Sequence, residues 1–240
     1  MRIDLVVFDV AGTTVKDDDA VNDIMRSAIA SAGTLVDRAA VAAVMGLPKP
    51  ESIRLLLSRA RSRPPTLEEV DEVHTAFVEQ MTNHYLESSR ICEVPGAAAT
   101  FRRLREAGVK VALDTGFSRL ILDAVLGRLG WYGDGLIDVT VASDEVLHGR
   151  PYPDMIERAM ALTGIQNPEY VAKVGDTAAD MREGHAAFCG CVIGVLSGTG
   201  TFEELAQFDD TVVVADITKV PDVIGVASPR RTDAQPHPPV

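Results

Sequence analysis

The chain is poor in the features that mark secreted or membrane proteins. Its 240 residues include three cysteines, Cys92, Cys189 and Cys191, an odd number that supports no disulfide framework. No run reaches about 18 uninterrupted apolar residues, so no membrane-spanning helix and no membrane partner are expected. The first apolar run is broken by Asp4 and Asp9 and is too short for a secretion signal. Lys and Arg number 23 against 35 Asp and Glu, a formal charge of −12. That balance argues against nucleic acid as a partner, since phosphate backbones are gripped by clustered basic residues. No internal repeat is present. A cytoplasmic globular protein is expected, with 46% hydrophobic residues to build a core. An anionic substrate remains open to it, because a site holding a cation can be electropositive on an acidic protein.

What is present is an alternation. Beta-rich apolar runs recur at 4–9, 109–114, 137–142, 170–175, 191–196 and 211–215, with helical patterns between most of them. This is the pattern of an α/β fold with a doubly wound parallel sheet. Each run ends in polar or turn residues, and in such sheets ligands bind beyond the carboxyl ends of the strands. From 16 to 93 the alternation stops. Helices are expected there at about 20–32, 37–45, 50–60 and 66–88, with Thr66 as an N-cap and Glu69 three residues on. The sequence therefore divides into an α/β core of 1–15 and 94–227, an inserted helical cap of 16–93, and a loose proline-rich tail of 228–240.

The strand ends carry the chemistry. Asp9 ends the first run, where an Asp can be a nucleophile, a metal ligand or a helix N-cap. The run V-G-D-T-A-A-D places Asp176 at another strand end and Asp180 one helical turn further along the same face. Three converging carboxylates repel one another unless a cation neutralises them, and hard oxygens without His or Cys indicate Mg²⁺. Thr115, in L-D-T-G-F-S-R, is either a phosphoryl-binding hydroxyl or a local turn residue; Gly116 beside it opens the backbone to an anion. Arg150, in H-G-R-P-Y-P, offers a permanent charge for phosphoryl oxygens or for the attacking carboxylate.

These four ordered motifs, Asp9-Val-Ala-Gly-Thr-Thr, Thr115, Arg150-Pro-Tyr-Pro and Gly175-Asp176-x-x-x-Asp180, resemble the haloacid dehalogenase superfamily of aspartyl-phosphate-forming hydrolases. The resemblance implies that Asp9 attacks phosphorus. It also implies that Mg²⁺ bridges Asp9, the Ala11 carbonyl, Asp176 and the phosphoryl group, with Asp180 in support. Most phosphatases of the superfamily carry a second Asp two residues after the nucleophile, as acid for the leaving oxygen. Ala11 has no titratable group and cannot serve.

D-x-A-G-T-T is similar to the opening of the phosphonoacetaldehyde hydrolase (phosphonatase) branch, which cleaves a carbon–phosphorus bond with the help of a cap lysine that forms an imine. Lys49, in M-G-L-P-K-P, is the one lysine of the cap helices and occupies the resembling position. Placed at a helix start before Pro50, its ammonium is disfavoured by the helix dipole. Gly12, Thr13, Met45 and Gly116 are expected to line the site of a small phosphonate or phosphate substrate. The branch has a His three residues beyond the lysine, where this chain has Ser52; Asp114 and His148 also differ, and His148 is a candidate proton shuttle. A phosphatase of a small phosphorylated metabolite, without imine chemistry, is the alternative. Asp17, Asp18 and Asp19 are expected to cap and solvate the first cap helix, and exposed apolar cap helices would support a homodimer.

Overall fold

Five consecutive buried residues, Leu5–Asp9, form strand β1, and an apolar run with no polar alternation is what a strand covered on both faces requires. A computed structural model describes residues 2–61, 63–133 and 135–226; the tail expected at 228–240 lies outside the described residues. The further strands are β2 (Lys110–Thr115), β3 (Val139–Ala142), β4 (Val171–Gly175), β5 (Cys191–Val195) and β6 (Thr211–Val214). All pair in parallel, in the order β3-β2-β1-β4-β5-β6. The fold is thus the doubly wound α/β sheet expected from the sequence. Val6 and Phe8 point into one apolar layer, where Phe8 meets Phe101, while Leu5 and Val7 point into the other, with Met155 and Ile156. β3 starts later than its apolar run because Asp138 turns its carboxylate back to accept from the Val111 amide at 2.8 Å.

Between β1 and the next core helix lie α1 (Ala20–Ser31), α2 (Arg38–Ala42), α3 (Lys49–Ala60) and α4 (Leu67–Glu87). α4 begins in a capping box of Thr66 and Glu69. It buries Val70, Val73, Phe77, Met81 and Tyr85, a stripe at helical spacing that packs on α1 and α3 and reaches α6 (Arg119–Leu129) of the core. α2 is shorter than its pattern. After Ala42 the chain proceeds through successive tight turns to Gly46, whose φ of 82° ends any helical path. Lys49 is itself the first residue of α3, with Pro48 before it and Pro50 second. Asp19 stands before α1 at φ 65° and caps nothing; Asp17, half-buried rather than solvated, accepts from the Val21 amide at 3.1 Å instead. The two crossings between the core and these helices lie side by side: Val15 bridges Glu93, the Lys16 amide donates to Cys92, and the Val94 amide donates to Thr14. The remaining helices are α5 (Ala97–Glu106), α7 (Asp154–Thr163), α8 (Ala178–Ala186), α9 (Phe202–Ala206) and α10 (Val220–Val223). None of the described helices is long and apolar enough to cross a membrane.

Candidate active site

Parallel register carries the strand ends to one edge: Asp9 stands opposite Asp114, and Phe8 opposite Val174, one residue short of Gly175 at the end of β4. Just beyond that edge a small cavity is lined by Asp9, Ala11, Thr115, Gly116, Arg150 and Asp176 from the core. Met45, Gly46 and Lys49 line it from the inserted helices, with Val21. Gly12 and Thr13 do not line it. They brace Asp176 from behind: the Thr13 hydroxyl donates to Asp176 Oδ1 at 2.9 Å, and a Cβ on Gly12 would lie 2.7 Å from Oδ2. The Thr199 amide holds that second oxygen at 2.8 Å. Thr115 accepts from the Phe117 amide at 3.2 Å.

Arg150 is only 2% exposed, and its charge is spent on carboxylates. Nη1 donates to Asp9 Oδ1 at 2.6 Å, Nε donates to Glu183 at 2.8 Å, and Nη2 donates to Asp114. Its place is therefore against the Asp9 carboxylate. Lys173, wholly buried on β4, lies 2.8 Å from Glu183, 3.3 Å from Asp180 and in contact with Asp114. Lys173 and Glu183 were not singled out from the sequence, yet each left a signal. V-A-K-V sets a charge inside an apolar strand, and Glu183 follows Asp180 by three residues on one helix face.

Among the described residues, the buried charges are Asp9, Asp114, Asp176, Asp180 and Glu183 against Lys49, Arg150 and Lys173. Two negative charges are left over. Burial, ahead of neighbouring charges, pushes Asp9 up to about 7, Asp176 to about 6 and Glu183 to about 8. Asp114 goes the other way, because Arg150 and Lys173 overcome its burial. Oxygens of Asp9, Asp176 and Asp180 lie within 4.8 Å of one another, and Asp180 Oδ1 accepts no hydrogen bond. One divalent, oxygen-seeking ion fits this excess, as Mg²⁺ does. Asp114, Asp180 and Glu183 are equally close, but in that group Asp114 and Glu183 are each paired with both Arg150 and Lys173.

The inserted helices meet the core along a seam that admits almost no side chains. A Cβ on Gly116 would lie 2.7 Å from the Leu47 carbonyl oxygen, and one on Gly149 would lie 2.4 Å from Pro48. This close approach carries Lys49 over the strand ends, 4% exposed, with Nζ 5.3 Å from the Phe117 ring centre. Burial lowers its pKa to about 8, against the pull of Asp9 and Asp17. Desolvation is thus the first cause of the shift expected from the helix start. Ser52, wholly buried, donates its hydroxyl to the Val44 carbonyl at 3.1 Å and so holds the turn that precedes Lys49. His148 turns away to Asp154, 3.2 Å from Nδ1, and is not part of the cavity wall.

The chain matches the family model of haloacid dehalogenase-like hydrolases over residues 3–187. It is 31% identical over 218 residues to the phosphonoacetaldehyde hydrolase of Bordetella pertussis, covering 87% of this chain and 78% of that protein. Among solved structures it is similar to a phosphonoacetaldehyde hydrolase-like protein from Oleispira antarctica, with a TM-score of 0.80 and 20% identity over 93% of this chain and 92% of that one. A hydrolase from Pseudomonas syringae gives a TM-score of 0.81 at 19% identity, covering 93% and 99%. A family match running through Asp9, Thr115, Arg150 and Asp180, on a sheet that gathers those residues at one edge, makes this chain a member of the haloacid dehalogenase-like hydrolases.

Proposed function

We propose that the chain is a Mg²⁺-dependent hydrolase that cleaves the carbon–phosphorus bond of phosphonoacetaldehyde or a close analogue. The observation that carries this reading is a buried amine, Lys49, in the wall of the cavity that holds Asp9 and lacks an acid at Ala11. The neutral Lys49 amine condenses with the aldehyde, losing water, and the imine nitrogen so formed takes up one proton from solvent. Asp9 then attacks phosphorus in line, and the carbon–phosphorus electron pair moves into the imine to leave an enamine. Arg150 keeps Asp9 ionised and aimed, and Thr115 offers its hydroxyl to a phosphoryl oxygen. Asp9, Asp176, Asp180 and the Ala11 carbonyl would hold Mg²⁺, whose charge neutralises the phosphoryl oxygens. Water releases phosphate from Asp9, and protonation at carbon followed by hydrolysis frees the aldehyde from Lys49.

A phosphatase acting on a small phosphate ester would need a proton for the leaving oxygen, which Ala11 cannot give. The two readings separate in one assay. Phosphate release from phosphonoacetaldehyde is expected from the wild type and lost in Lys49→Ala. Preferred turnover of sugar or acyl phosphates, unchanged in Lys49→Ala, would favour the phosphatase.

A further inference from the structure

Parallel register sets a row of charged side chains on one face of the sheet. Asp9 of β1 stands opposite Asp114 of β2, and Lys173 of β4 stands opposite Val7, two residues before Asp9 and so on the same face. Asp114 is wholly buried, and neither the phosphoryl nor the imine chemistry uses it. Its Oδ1 receives two cations at once, Nη2 of Arg150 and Nζ of Lys173. Nη2 also donates to the Asp114 carbonyl at 3.2 Å. Glu183 holds the same two cations, 2.8 Å from Arg150 Nε and 2.8 Å from Lys173 Nζ. Two acids and two bases thus form a quartet balanced in formal charge.

Asp180 borders this quartet. Its Oδ2 is committed to Thr177, accepting from the amide at 3.2 Å and from the hydroxyl at 2.6 Å. Its Oδ1 is buried, with Arg150 Nη1 at 3.2 Å and Lys173 Nζ at 3.3 Å, yet it accepts no hydrogen bond from either. Buried oxygens are nearly always satisfied, so two idle donors at that range call for a cause. The donors are turned elsewhere: Nη1 to Asp9 Oδ1 at 2.6 Å, and Nζ to Asp114.

We propose that Asp114 is a positioning residue for the metal site: by drawing Lys173 and Arg150 to itself, it leaves Asp180 Oδ1 open to a divalent ion. The role rests on the reading that Asp9, Asp176 and Asp180 hold Mg²⁺, and extends it to a residue outside that set. Removing the Asp114 charge shifts the quartet by one positive charge. The nearest relief is Asp180 Oδ1, toward which the Lys173 ammonium has only to turn. An ammonium bonded there occupies the oxygen that Mg²⁺ would use, and its charge opposes that of the ion.

The test is Mg²⁺ binding to the full chain without substrate, by titration calorimetry at a single pH, with circular dichroism to show that each variant is folded. Asp114→Asn keeps the shape of the side chain and removes its charge, and should bind Mg²⁺ about tenfold more weakly. Combining Asp114→Asn with Lys173→Met removes one charge of each sign, and should return the affinity to within about threefold of wild type. A role in packing alone predicts the reverse, since two buried changes would then weaken binding at least as much as one. If the single variant does not fold, the double variant carries the test: affinity near wild type supports the role, and a greater loss overturns it. A single variant that binds Mg²⁺ as the wild type does overturns the role of Asp114 and leaves the metal reading standing. A wild type that binds no Mg²⁺ removes the metal reading, and the role of Asp114 with it.

Discussion

At Lys49 the surroundings decide what a common residue can do. An amine with the ordinary lysine pKa is about 0.03% neutral at pH 7, whereas one held at about 8 is roughly a tenth neutral. Burial thus supplies a few hundredfold more nucleophile before any other effect. The acid limb of phosphate release should lie near pH 8, and Lys49→Arg, which keeps charge and length, should be inactive on the same substrate. Ser52→Ala should cost about 1 kcal/mol in thermal unfolding by leaving the buried Val44 carbonyl with only its longer bond from the Leu47 amide, and leave the pH profile of activity in place. The same scale shows where sequence reading stops. Asp9, Asp176 and Asp180 were legible because their spacing and strand ends are local. Asp17 looked like one of three solvated caps, because its burial depends on α1 folding back over it. Thr13 looked like a ligand for substrate, but its hydroxyl meets a residue 163 positions away.

At the scale of elements, the seam between the inserted helices and the core is built from backbone. Gly116→Ala should push a Cβ into the Leu47 carbonyl, which cannot swing aside as a side chain would. The expected result is a loss of about 1–3 kcal/mol with a disproportionate fall in borohydride trapping of a phosphonoacetaldehyde adduct on Lys49, because the turn that delivers the lysine is what moves. Thr66→Ala, which removes the capping box of α4 far from the cavity, should cost about 1 kcal/mol and leave trapping intact, giving the control. Helix and strand positions were readable from periodicity to within a few residues. The end of α2 was not, since Ala43 and Val44 continue its apolar pattern while the chain already turns toward Gly46. The glycines of the seam were visible as letters, but nothing near them in the chain names what they touch.

For the molecule as a whole, the surplus of buried negative charge ties stability to pH and to cations. The pKa values of Asp9, Asp176 and Glu183 are raised in the folded chain, so their contribution is complete below about pH 4 and lost as pH rises through about 6 to 8. In chelator the melting temperature should fall across that window, and added Mg²⁺ should restore it more strongly at pH 8 than at pH 5. Lys49 acts above this range, its lowered pKa making stability rise from about 8 toward the ordinary lysine value. The parallel sheet and its ligand edge followed from the alternation of apolar runs, whereas the strand order β3-β2-β1-β4-β5-β6 had to come from the structure. The charge surplus had no such trace, since composition cannot say which of 35 acids are buried.

The paired crossings at Val15 and Glu93 then divide the proposed chemistry by address. Every group assigned to phosphorus belongs to the core that holds the sheet, and Lys49, assigned to carbon, hangs beyond a two-chain strap. A lineage can rewrite which bond is broken in the suspended helices and leave the phosphoryl apparatus untouched.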